Sequence, residues 1–278
     1  MDGWRFSAAL LSAVLHAGWN AVVKASAVPA QTMTAQMLAC TLLALPGLVW
    51  TGLPPSAAWP WIALSTVLNR CAVGSLLRAY ALGSFGLVYA FARAASILLA
   101  VPLAAALSGE RLTAPGLAGV GLVCAALAWL ALCGSRRDPF PRWALIWTLA
   151  AGASTAGYVV CDAQGVRSSG SPWAYGFSVT VTNAAAMAWP QRRTLVAGRV
   201  LSRLWPIALP LAAASTLSYL LILWVWTRAP IALSLALRDT SALFGMVIAV
   251  LWLREPLTAS RVLALALAVA GIAFLRLG

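Results

Sequence analysis

The sequence predicts an all-α integral membrane protein of ten transmembrane helices, arranged as two inverted five-helix repeats. Three observations lead there. The chain is 62% hydrophobic and only 9% charged, whereas a soluble domain carries about 25% charged residues. Pro, Gly and Arg clusters divide it into ten apolar runs, each near the ~20 residues that a spanning helix needs. A 23-residue segment recurs 145 positions later with its rarest residues kept.

The runs lie at approximately 5–25, 31–51, 58–80, 85–109, 113–134, 143–165, 171–190, 204–228, 230–253 and 257–277. Their lengths fit helices rather than barrel strands, which need only ~10 alternating residues. The first run carries His16, Asn20 and Lys24 in its second half, and no small-x-small cleavage site follows a compact apolar core. It is therefore expected to stay as a helix rather than leave as a signal peptide. The loops around 135–142 and 191–203 are the longest, and both are too short for a folded domain.

The repeat fixes the organisation. Residues 91–113 read FARAASILLAVPLAAALSGERLT and residues 236–258 read ALRDTSALFGMVIAVLWLREPLT, identical at seven of 23 positions. Ala and Leu matches carry little weight in so apolar a chain. The two glutamates of the protein, Glu110 and Glu255, are both in the match, as are Arg93 with Arg238 and Ser96 with Ser241. Leu112-Thr113 pairs with Leu257-Thr258, and a Thr ahead of each new apolar run predicts an N-cap for runs five and ten. A weaker echo joins runs one and six, where Ala-Gly-aromatic recurs at 17–19 and 156–158. The expected units are residues 1–134 and 143–278, five helices each. Because five is odd, the second unit enters the membrane from the opposite side, an architecture associated with secondary transporters.

Composition also excludes. The net charge is +13, with 18 of 19 basic residues Arg, but they are spread among apolar runs and short loops. That is no nucleic-acid surface; basic loops fix membrane orientation. Loops opposite the termini carry ten basic residues, among them Arg192, Arg193, Arg199 and Arg203, against five on the terminal side. The 191–203 loop is thus expected in the cytoplasm and both termini outside it. Cys40, Cys71, Cys124, Cys133 and Cys161 all sit in apolar runs without a CxxC pair, which predicts neither a metal site nor a disulfide framework. No GxxxxGK[ST] loop is present to supply ATP energy. Six scattered acids and one His make a membrane-embedded lipid-modifying enzyme a poor fit, and no cofactor is expected. A non-transporting scaffold is the remaining alternative.

The stretches LHAGWNAVVK, YAFARAASILLAVPLAAALSGERLT and ALRDTSALFGMVIAVLWLREPLT resemble the drug/metabolite transporter superfamily, specifically its EamA-type members. Where family versions often have Pro after the Tyr and Glu after the second Arg, this chain has Ala90 and Asp239. The resemblance implies a polytopic inner (plasma) membrane transporter of small metabolites, often amino acids, acting as a monomer by alternating access. Export is the expected direction; aromatic amino acids or cationic drugs are alternative cargoes.

The candidate site residues are polar groups inside apolar runs. Tyr89, Arg93, Ser96, Ala100 and Ala104 share one helical face, matched by Ser234, Arg238, Ser241, Gly245 and Ala249. Such small faces serve close packing or leave room for a ligand. An intramembrane Arg costs roughly 2.5–3.5 kcal/mol by insertion scales. Arg93 and Arg238 either hold an anionic ligand group or snorkel to the interface. His16, Trp19 and Asn20 cluster on one side of run one, and run six offers Tyr158 and Asp162 in the equivalent stretch. These line a cavity or form an interhelical hydrogen-bond group. Asp162 and Asp239 are the proton-coupling candidates, because a carboxyl group withdrawn from water holds its proton more readily, although Arg238 beside Asp239 favours the charged form. Glu110 and Glu255 are expected to hold the hairpins at their own helix ends. Trp50, Trp59, Trp61, Trp143, Trp189, Trp205 and Trp252 fall near run ends and are expected at the lipid–water interfaces.

Overall fold

The computed structural model describes residues 2–26, 29–83, 85–135, 141–189, 199–241, 243–244, 247–248 and 258–277. Among them there are helices and turns and no strand. The helices are α1 (Gly3–Ala25), α2 (Pro29–Thr51), α3 (Trp59–Leu82), α4 (Phe85–Ser108), α5 (Ala114–Ser135), α6 (Arg142–Ser169), α7 (Pro172–Ala188), α8 (Arg199–Trp226), α9 (Ile231–Asp239) and α10 (Ala259–Leu277). Each apolar run of the sequence holds one of them. The ninth departs in detail: α9 stops at Asp239, a turn at Thr240 interrupts the run expected over 230–253, and the described residues 241, 243–244 and 247–248 are helical again. Thr240 itself supplies the reason, since its Oγ1 donates to the Leu237 carbonyl at 2.6 Å and competes with the helix ladder. Gly245, Ala249, Trp252 and Glu255 lie outside the described residues.

Local chemistry sets the helix ends. Asp2 caps α1 by accepting from Arg5 N at 2.8 Å, and Ser171 caps α7 through Ala174 N at 3.2 Å, with Pro172 opening the helix. Thr113 caps α5 as expected, its Oγ1 accepting from Gly116 N at 3.2 Å. Gly170, at φ 67°, ends α6 in the left-handed conformation.

Five of the helices among the described residues are long and apolar enough to cross a membrane: those at 3–23, 31–51, 91–108, 142–169 and 202–226. Large apolar side chains such as Leu42, Leu64, Leu98, Ile146 and Val269 stand exposed on the outer surface, as lipid contact requires. Trp50, Trp59, Trp143 and Trp189 are exposed near helix ends, whereas Trp61 and Trp205 are half-buried against apolar clusters.

Inside, α6 packs on α3 and α4, α1 on α8 and α9, α2 on α7 and α8, and α5 on α10. Small residues allow the close approaches: a Cβ on Gly152 of α6 would sit 3.0 Å from the Ala92 carbonyl of α4. Polar pegs lock the helices pairwise. Ser12 and Ser218 exchange hydroxyl-to-carbonyl bonds of 2.7 and 2.8 Å between α1 and α8, and Thr66 meets Thr182 at 2.7 Å between α3 and α7. Each such bond stabilises by about 0.6 kcal/mol in a bundle.

Candidate functional site

Arg93 projects from α4 toward α9 and α1. Its Nη1 donates to Asp239 Oδ1 at 3.1 Å, and its Nη2 meets His16 Nε2 at 3.0 Å. The guanidinium carries only donors, so His16 Nε2 accepts and the neutral ring bears its hydrogen on Nδ1. The Tyr89 ring stacks on the same guanidinium at 5.0 Å. Ser96 Oγ donates to the other Asp239 oxygen at 3.1 Å. Arg93 therefore does not snorkel: an acid, an imidazole and an aromatic face occupy it inside the protein.

Arg238, its counterpart in the repeat, is differently placed. It is only 7% exposed, its Nε is buried without a hydrogen-bond partner, and no ion pair holds it among the described residues.

Three hydroxyls hold Asp162 on α6. Ser65 of α3 donates to Oδ1 at 2.5 Å, Tyr175 of α7 to Oδ1 at 3.1 Å, and Tyr219 of α8 to Oδ2 at 2.8 Å. Four helices thus converge on one carboxylate. The Tyr175 ring reaches it by lying against Gly165, where a Cβ would meet its Cε2 at 2.2 Å.

These groups surround one cavity of about 250 Å³. His16, Trp19, Asn20, Tyr89, Arg93, Tyr158, Asp162 and Arg238 line it. Trp19 stands edge-on to His16 at 5.1 Å, and Asn20 Nδ2 is tied to the His16 carbonyl at 2.7 Å. Asp239 and Ser241 are buried behind the wall: Asp239 steadies Arg93, and Ser241 Oγ has no partner. The small face of α4 divides likewise, since Ala92 borders the cavity while Ala100 and Ala104 are buried in the main apolar core.

Comparison with known proteins now bears on the chain. Residues 142–277 match the model of the EamA-like transporter family. The second half of the chain is thus similar to that family. An EamA-like half together with several apolar helices of spanning length supports a membrane-embedded, multi-pass chain. A solved crystal structure superposes with a TM-score of 0.73 at 17% identity, covering 99% of this chain and 97% of the other, which is a likeness of fold. No curated protein matches the chain.

Two features were not foreseen. Gln36, Asn69, Asn183, Ser215 and Tyr219 also line the cavity; each is a polar residue inside an apolar run, the same signal that singled out His16. Glu110 is the second. It does not confine itself to the hairpin after α4: it accepts from Arg167 Nη2 of the EamA-like half at 2.8 Å and from Ile231 N at 2.7 Å. Arg167 also donates to the carbonyls of Trp226 and Ala229, at 3.1 and 3.0 Å. The hairpin of the first half is thereby clasped to α6 and to the α8–α9 turn. Glu255 lies outside the described residues.

Proposed function

We propose that the chain is a secondary transporter that exports small organic anions, including the carboxylate end of amino acids, through a cavity between two five-helix units at 1–134 and 143–278. One observation carries this reading: Arg238 borders the cavity, withdrawn from water and without an acidic partner at hydrogen-bond distance among the described residues. A guanidinium so placed offers a planar fork to a carboxylate. A cationic cargo fits less well, because Asp239 is paired with Arg93 and Asp162 is already saturated by hydroxyls.

The inverted repeat has support from the helix neighbours. Exchanging α1–α5 for α6–α10 converts the α1–α8 contact into α6–α3, α2–α8 into α7–α3, and α4–α6 into α9–α1, all of which occur. A fold with this exchange can offer its cavity to either side in two related arrangements, which is alternating access. Asp162 is the better proton carrier of the two acids, since it borders the cavity with no cation hydrogen-bonded to it, whereas Asp239 is committed to an ion pair. The inner membrane is the proposed site, with residues 191–203 on the cytoplasmic side; a Cys at Gly198 should then resist an impermeant thiol reagent in intact cells.

The test is uptake of radiolabelled amino acids and organic acids into proteoliposomes. Saturable uptake of a carboxylate that Arg238→Ala abolishes is the expected result. Uptake that is unaltered by Arg238→Ala would sink the reading.

A further inference from the structure

The cavity lies toward one end of the bundle. It is bordered by later turns of α1, α3 and α7 and by early turns of α2 and α4, through residues such as Asn20, Leu76, Asn183, Met33 and Tyr89. The opposite end, where α1, α3, α7 and α9 begin and α4, α6 and α8 finish, is filled. Ala9, Ile62, Ala104, Val166, Leu223 and Ile231 are buried there in one apolar core, and Arg5 at the start of α1 lies over Trp224 near the end of α8 at 5.3 Å. At this filled end Glu110 accepts from Arg167 Nη2 at 2.8 Å and from Ile231 N at 2.7 Å, while Arg167 also donates to the Trp226 and Ala229 carbonyls. Two side chains thus tie together the turn after α4, the end of α6 and the α8–α9 turn. Among the described residues no ion pair joins two helices at the cavity's own end.

We propose that the Glu110–Arg167 clasp is the latch that holds this end of the transport pathway shut, so that breaking it moves the protein from an arrangement open at the α1–α2 end toward one open at the α8–α9 end. This rests on the alternating-access reading and is independent of the cargo. Bonds made in one arrangement and absent from the other bias the balance between them by their own free energy. The clasp is built to part. The side chains of Arg167 and Glu110 are 28% and 13% exposed, so water can take over both partners as the end opens. The Arg93–Asp239 pair is different: Asp239 is 1% exposed, and separating it would strand a buried charge. The clasp also reaches the cavity through rigid helix. Arg167 stands a little beyond Asp162 on α6, and Arg238 follows Ile231 on α9 by roughly two turns. The two helices that Glu110 pins therefore carry an acid and an arginine of the cavity wall.

The experiment is maleimide labelling of the full-length protein in nanodiscs, where both ends are accessible, read by peptide mass spectrometry. One reporter is Leu76→Cys, which borders the cavity. The other is Leu223→Cys, fully buried one turn beyond Tyr219 toward the clasp. The ratio of the Leu223→Cys rate to the Leu76→Cys rate follows the balance between the two arrangements. Glu110→Gln and Arg167→Met should each raise that ratio about tenfold, with Leu223→Cys faster and Leu76→Cys slower than in the parent. Arg167→Lys, which keeps a donor for Glu110, should raise it less. Glu110→Gln carries the test if Arg167→Met does not fold. An unchanged ratio overturns the latch. So does faster labelling at Leu223→Cys with no slowing at Leu76→Cys, which is loosening of one end alone. Carboxylate uptake into proteoliposomes separates the two readings: uptake by the parent with an unchanged ratio in the variants removes the latch and keeps the transporter, whereas a reciprocal shift without uptake keeps the latch and removes the anion cargo.

Discussion

Arg93 is paired with Asp239, the residue next to its own counterpart in the repeat, across 146 positions and 3.1 Å. The repeated arginines consequently do different work. Both border the cavity, but one is neutralised by an acid and the other has no ion pair among the described residues.

Substitutions should separate them. Arg93→Ala leaves Asp239 buried and uncompensated and should cost about 3–5 kcal/mol of stability. The double variant Arg93→Met with Asp239→Leu should recover most of that loss. Arg238→Lys should keep the melting temperature and weaken substrate binding, because Lys lacks the planar fork. Melting curves beside titrations decide it: an affinity defect without a stability defect in Arg93→Ala would reverse the assignment.

Asp162→Asn should abolish the response of transport to an imposed pH gradient while substrate exchange continues. Asn can still accept from Ser65 and Tyr175 through its one oxygen, while its Nδ2 donates to the Tyr219 oxygen, but it cannot cycle a proton. Counterflow and gradient-driven uptake in the same vesicles measure the two separately, and an undiminished gradient response in Asp162→Asn would remove proton coupling through this acid.

Glu110 and Arg167 should show energetic coupling in a double-mutant cycle with Glu110→Gln and Arg167→Met. A coupling energy of about 1–2 kcal/mol in unfolding is expected, given charge-assisted bonds between half-buried groups. Zero coupling would return Glu110 to a role within its own hairpin.

Gly165→Ala should destabilise by about 1–3 kcal/mol, the usual range for overpacking, since its new methyl group would collide with the Tyr175 ring. Gly121 in α5 has open space around it, so Gly121→Ala should leave the melting temperature unchanged or raise it, helix interiors preferring Ala to Gly by up to about 1 kcal/mol. Equal effects at the two positions would show that Tyr175 is free to move.

The helices were legible because hydropathy and breakers are local properties: among the described residues every one of the ten runs contains helix, and Thr113 caps where a Thr ahead of an apolar run should. The cavity was legible only in part. His16, Arg93, Asp162 and Arg238 stand out because charge or imidazole is rare in an apolar run. Gln36 and Asn183 carry the same mark more faintly, and α2 and α7 have no strongly one-sided hydrophobic face to say which way they point. The turn at Thr240 and the partner of Glu110 were not legible at all. Both depend on what lies across the bundle, and α6 carries Arg167 by extending to Ser169, past the apolar run expected to end at 165.

The hydroxyl cage around Asp162 has a consequence for hydrogen counting. Ser65, Tyr175 and Tyr219 own one hydroxyl hydrogen each, and all three are directed at the same two oxygens. A proton arriving on Asp162 brings a fourth hydrogen to a cluster built for three. The carboxyl group then directs that hydrogen into the cavity it borders or onto one of its former donors, and in the second case the hydroxyl swings its own hydrogen elsewhere. Tyr219 is the member of the trio that borders the cavity. Its O–H can turn toward the cargo while Ser65 and Tyr175 stay enclosed, so a proton taken up on Asp162 would reach a bound molecule as one additional hydrogen bond rather than as a change of shape.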